Sequence, residues 1–321
     1  MSTRRNALIT LTLTLSAAAT LASDYPSRPV TMIVPQAVGG TNDIVGRAVA
    51  ARLSEALGTT VVVDNKVGAG GNIGTALAAK APKDGHTLLM TISSAQAINP
   101  ALYRNAGFDP VKDFQPVALV GSVPNVLVVN PNFPAKSLDD FLKLVKSQPG
   151  KHAYASAGNG TLNHLLGAML ESAAGLDMPH IPYKGVAPAL TDVIGGQVNI
   201  AFASLPSVLG QLKGGKLLAL GVSSPQRSPA LPDVPAIGEK VPGYAGTLWV
   251  ALFAPRGLPA DVDSKLQQAM AKALASPELK ATLVAAGVEL ASATPAQLAQ
   301  MLQDDISRWA AIVKRTGASV D

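Results

Sequence analysis

The sequence contains no cysteine. That excludes a disulfide framework, a thiolate metal site and a lipid-bearing cysteine behind a leader peptide. Aromatic residues make up only 4% of the chain and charged residues 15%, so it has neither the stacking platforms nor the basic stripe of a nucleic-acid binder. Its four histidines, at 86, 152, 164 and 180, never adopt the i, i+4 spacing beside a glutamate that a zinc hydrolase uses. No metal, cofactor or nucleic acid is therefore expected. Long apolar runs are missing too. The most extended, Ala7 to Leu21, is broken by Thr10, Thr12, Thr14 and Ser16, whereas a membrane span needs about 20 predominantly apolar residues.

What is present begins with an export signal. Arg4 and Arg5 precede the apolar run, and Thr20 and Ala22 are small residues placed for cleavage, so residues 1–22 read as a signal peptide. The Thr3-Arg4-Arg5 start also matches a twin-arginine signal loosely; both routes end in the periplasm. The mature protein is then expected to be free of the membrane and only mildly basic, since the formal charge is +5 before two arginines are removed. A chain of 321 residues exceeds what one hydrophobic core usually serves, so two domains are expected.

The chain is organised around strand-to-helix turns. Val30 to Val34 has the character of a buried strand, and apolar residues recur at helical spacing from Ile44 to Leu57, where Gly58 stops them. Between them lies Pro35-Gln36-Ala37-Val38-Gly39-Gly40-Thr41-Asn42-Asp43, a turn that leaves the first helical N–H groups open to an anion; Asn42 and Asp43 equally suit a cap. The same grammar returns at Ser156-Ala157-Gly158-Asn159-Gly160-Thr161, before a helix whose first turn holds His164. A third glycine turn, Gly68 to Gly74, lacks the spacing of a dinucleotide or phosphate loop and is assigned first to packing. Ser93 and Ser94, Ala203 and Ser204, and Tyr183 and Lys184 stand at the carboxyl ends of further strands. Such ends are where α/β sheets hold ligands. His164 and Lys184 face either the cleft or solvent.

Proline and glycine inside Val117 to Val129 predict a strand that leaves one sheet for another, and a second crossing is expected near Gly246. The expected lobes are 23–123 plus 247–321, and 124–246. Reactive sets are poor. Ser156, in Tyr154-Ala155-Ser156-Ala157-Gly158, partly matches a nucleophile elbow, with Asp177 and His180 the only acid and histidine in the order a triad needs. A diverged secreted serine hydrolase using Ser156 is the alternative to a binding protein.

Several segments together resemble one family. These are Tyr25-Pro26-Ser27-Arg28-Pro29, the 35–43 and 68–74 turns, Asp84-Gly85-His86-Thr87-Leu88-Leu89, Ala97-Ile98-Asn99-Pro100 and Tyr183-Lys184-Gly185-Val186-Ala187-Pro188-Ala189-Leu190-Thr191-Asp192. In order and spacing they are similar to the Bug family of periplasmic substrate-binding proteins. The resemblance implies an α/β, two-lobed periplasmic-binding-protein fold, class II-like, with a central sheet in each lobe and the ligand cleft between them. It implies a non-enzymatic receptor that closes on a small organic acid, a carboxylate or at times a related aromatic acid, and serves the permease subunits of a tripartite tricarboxylate transporter, or a sensor. In the family, backbone amides and small hydroxyls of the two turns hold the acid; here those positions are Val38, Gly39, Asn42 and Asp43, and Ser156, Gly158, Asn159, Gly160 and Thr161. Gln36-Ala37-Val38 and Asn42 depart from the family pattern, which has an aromatic or small residue with proline, and a threonine or serine.

Overall fold

The computed structural model describes residues 25–316 and Val320; the expected signal peptide lies outside the described residues. The chain opens with β1 (Val30–Val34), α1 (Thr41–Leu57), β2 (Val61–Asn65), α2 (Asn72–Ala79) and β3 (Thr87–Ile92). A π-helical turn over Ser94–Ile98 and the short α3 (Asn99–Leu102) lead into the long β4 (Phe114–Val129). Next come α4 (Leu138–Ser147), β5 (Tyr154–Ser156), α5 (Leu162–Ala174), β6 (His180–Pro182), α6 (Val186–Ile194), β7 (Ile200–Ser204), α7 (Leu205–Lys213) and β8 (Leu218–Val222). The chain finishes with β9 (Thr247–Pro255), α8 (Ala260–Ala275), α9 (Pro277–Ala285), β10 (Glu289–Leu290) and α10 (Pro295–Thr316).

Helix α1 shows why the sequence pattern works. Val45, Val49, Ala50 and Leu53 fall on one face and are buried, and Gly58, left-handed at φ 70°, returns its N–H to the Ser54 carbonyl and ends the helix. Strand β1 lies parallel between β2 and β3, and β3 meets β9 antiparallel. In the second half, β5 lies parallel between β6 and β7.

Strand β4 joins the halves. From Phe114 to Pro124 it pairs with β9, and from Asn125 to Val129 with β7, while β8 also pairs with its second half. The strand expected to leave one sheet for another runs unbroken through Gly121 to Pro124. Register shifts within Pro116–Ala118 and Leu119–Gly121 bend a single continuous strand from one set of partners to another. Successive side chains of its second half alternate between cores: Leu127 and Val129 join the large core, and Val126 and Val128 a smaller one with α6 and α7. The large core runs through both lobes, from Met32 and Leu88 to Tyr154 and Phe202, with Trp309 of α10 fully buried in it. The result is a two-lobed, periplasmic-binding-protein-like fold with helices flanking a curled sheet.

Candidate functional site

Between the lobes lies a cavity of about 520 Å³. The starts of five helices line it: Gly40 to Asn42 of α1, Gly71 before α2, Thr161 to Asn163 of α5, Gly185 and Val186 of α6, and Ser204 before α7. Each helix presents the positive end of its dipole there. Lys184 is the only charged side chain among the described residues of the lining. The lobes touch across the cavity where Thr41 Oγ1 donates to Ser204 Oγ. Gly185 (φ 115°) also approaches Ala37 so closely that a Cβ on it would stand 3.2 Å from the alanine methyl.

The first turn is open. No described side chain caps α1, because the acid that could do so is turned back: Asp43 accepts from the Gly39 N–H at 3.0 Å, Asn65 Nδ2 at 3.0 Å and Arg47 Nε at 2.9 Å. Burial alone would raise the Asp43 carboxyl, but these hydrogen bonds and the Arg47 charge outweigh it and hold it below the ordinary range. Asn42 Nδ2 donates to the Met90 carbonyl at 2.7 Å and to Gln36 Oε1. This leaves buried Asn42 Oδ1 and Gln36 Nε2 without a partner among the described residues.

The second turn is closed on itself. Thr161 Oγ1 donates to the Gly158 carbonyl at 2.7 Å and caps α5 by accepting from His164 N–H. His164 Nδ1 accepts from the Gly160 N–H at 3.2 Å. Behind the turn, His164 and His180 stack at 4.1 Å, and Tyr154 stacks on His180 at 5.0 Å. Burial, then the neighbouring His164, pushes the His180 imidazole down to about 3, and burial lowers His164 as well. Both rings are neutral near neutral pH.

The chain's relatives point the same way as this geometry. Residues 45–318 match the model of the "Tripartite tricarboxylate transporter family receptor". The chain belongs to this receptor family. Protein BugT of Bordetella pertussis is 38% identical over 306 residues, 95% of this chain and 94% of that protein. A solved structure described as a periplasmic transporter is 40% identical with a TM-score of 0.89, covering 92% of this chain and 100% of its own. R. palustris Rpa4515, solved with adipate, is 34% identical with a TM-score of 0.89 and covers 92% of this chain and 99% of its own. The Bug resemblance read from the sequence is therefore correct. The protein is a periplasmic carboxylate receptor of the tripartite tricarboxylate type, and it is not an enzyme.

Within this receptor fold, the expected residues divide. Gln36, Gly40, Asn42, Ser94, Gly158, Asn159, Thr161, Tyr183, Lys184 and Ser204 line the cavity. Val38, 64% exposed, and Gly39 sit outside it, because the turn projects its tip to solvent. Asp43 is consumed by the contacts above. Ser93 is buried, with its Oγ accepting from Trp249 N–H at 3.4 Å. Gly160, His164 and Ala203 stand behind the wall. Ser156 is 0% exposed and bonded to His180 Nε2 at 2.6 Å, while Asp177 sits against Gly150. A serine–histidine pair exists, but substrate has no access to it and the acid lies elsewhere, which overturns the hydrolase alternative.

Other lining residues went unrecognised. The 67–71 segment, assigned to packing, forms a cavity wall, with residues 68–71 all at positive φ and Asn99 Nδ2 holding the Gly70 carbonyl at 3.1 Å. The Gly68-Ala69-Gly70-Gly71 run was the available signal, because glycine lets main chain come close to a ligand. Thr41 was legible as the residue after the paired glycines. Tyr103 and Leu248 carried no local signal.

Proposed function

We propose that the protein captures a small organic acid between its lobes by hinge closure and passes it to the permease subunits of a tripartite tricarboxylate transporter, or reports it to a sensor. One observation carries the reading. The uncapped starts of α1, α6 and α7 and the Lys184 ammonium converge on one cavity, and no acidic side chain lines it among the described residues. Unpaired backbone N–H groups at helix starts favour a carboxylate. The ligand-binding set is Gln36, Gly40, Thr41, Asn42, Ser94, Gly158, Asn159, Tyr183, Lys184, Gly185 and Ser204. The chain divides into lobes 23–123 plus 247–321 and 124–246, with hinges where β4 changes partners and where the chain enters β9. The adipate held by Rpa4515 supports a carboxylate here.

Mass spectrometry of the small molecule released from natively purified protein, with calorimetry on mono-, di- and tricarboxylates, tests this. The expected result is a bound organic acid and a smaller radius of gyration by X-ray scattering when it binds. No affinity for any carboxylate overturns the function, and binding without a change of radius overturns the closure.

A further inference from the structure

The two proposed hinges are tied together by one buried hydroxyl. Strand β4 changes partners at Asn125, and Gly246 lies just before β9. Ser223, just past the end of β8, sits between them and is 0% exposed. Its Oγ accepts from the Asn125 N–H at 2.9 Å and donates to the Gly246 carbonyl at 2.6 Å. Its own N–H donates to the Asn125 carbonyl, and its carbonyl accepts from the Gly246 N–H, both at 2.8 Å. Gly246 has no room to swing alone, because a Cβ there would stand 2.8 Å from Leu166 and 3.5 Å from Trp309 of α10. Movement at one hinge therefore has to be matched at the other.

The Asn125 side chain leads from this knot to the cavity. Its Oδ1 accepts from Asn163 Nδ2 at 2.6 Å, and Asn163, in the first turn of α5, lines the cavity. Across the sheet Asn125 stands opposite Ser204 of β7, whose hydroxyl meets Thr41 on the facing side of the cavity. Asn125 is fully buried, yet its Nδ2 has no partner among the described residues. An unpaired buried donor is costly, and at a joint it is a bond held in reserve for a second arrangement of the lobes. We infer that Asn163, Asn125 and Ser223 are positioning residues of one relay. Asn163 meets the occupant of the cavity, and Asn125 and Ser223 carry that contact to both hinges at once. This rests on the hinge-closure reading above.

Because the chain has no cysteine, Val62→Cys with Lys216→Cys puts a single spin label on an exposed residue of each lobe. Pulsed electron resonance then reads the distance between lobes in the full chain. It is measured free of ligand and saturated with the tightest binder, by calorimetry, among succinate, malate, adipate, citrate and benzoate. With the relay intact, the acid is expected to shift the population to the shorter distance. Ser223→Ala removes the shared hydroxyl, and the acid-induced change in the closed-to-open ratio is expected to fall by at least about tenfold. Asn163→Leu keeps the side chain's size but cuts the link to Asn125; the same loss is expected, and this variant decides the matter if Ser223→Ala does not fold. A native shift in either folded variant, even with a lower melting temperature, makes the knot merely structural and overturns the inference while leaving closure intact. Binding with no shift when the relay is intact overturns closure and relay together, and binding of none of the acids overturns the carboxylate reading as well.

Discussion

The turns at 35–43 and 156–164 share one grammar, a strand end, paired glycines and a helix start, yet they do opposite things. In the first, Asp43 is drawn away by Arg47, Asn65 and Gly39, and α1 begins uncapped at the cavity. In the second, Thr161 Oγ1 accepts the His164 N–H and His164 Nδ1 accepts the Gly160 N–H. A glycine turn offers a ligand its amides only where its own side chains leave them unpaired. The second turn lines the cavity with Gly158, Asn159 and Thr161 but keeps part of its backbone engaged, and the stacked pair of neutral histidines stiffens it from behind.

That contrast can be broken experimentally. The largest effect is expected from reversing the charge that supplements the open amides: Lys184→Glu should weaken carboxylate binding by about a hundredfold or more, and near-native affinity by calorimetry would mean that the lysine is merely solvated. Gly40→Val places two methyl groups beside the open start of α1; φ is −76°, so no left-handed backbone is strained, but the new Cβ would stand 3.2 Å from the Ala37 carbonyl oxygen. Affinity should drop by over about tenfold, with a loss of only about 1 kcal/mol in stability from the poorer cap. Its counterpart in the second turn, Thr161→Ala, should do the reverse. Loss of the cap costs about 1 kcal/mol of stability by denaturant titration, with affinity within about threefold. If the two variants swapped outcomes, the assignment of open and closed turns would be inverted.

The smallest effect is on pH dependence. His180 is held at about 3 in the folded protein against an ordinary 6.5, and the unfolded chain therefore takes up the proton first as pH falls. The stability from the neutral ring is complete above about 6.5 and is lost progressively below it. Between pH 6.5 and about 4.5, before most carboxylates titrate, the melting temperature should fall by a few degrees, and His180→Gln should flatten that slope. A variant with the native slope would place the titrating group elsewhere.

Much of the fold was legible because its determinants are local. Period-3.6 apolar faces such as that of α1, valine-rich strands and glycine stops lie within one window of sequence. The pairing of β4 with β9, and of its far end with β7, was anticipated only as a crossing, since partners so distant in sequence, such as Val129 and Ile200 or Phe114 and Pro255, leave no local trace. The site was half legible. Strand ends such as Ser94 and Ser204 follow from α/β topology, but Tyr103 and Leu248 are ordinary residues that packing alone carries to the cavity.

The sequence by itself determined the alternation of strands and helices, the two glycine turns, and the absence of metal-binding cysteines or a zinc-hydrolase histidine motif. The tertiary structure decided which turn leaves its helix start uncapped at the cavity, that Ser156 is sealed against His180, and that the 67–71 segment is a cavity wall. The reason is directional. A residue type fixes which hydrogen bonds a side chain can make, but only packing fixes where it points, and a free amide is defined by the partners that point elsewhere.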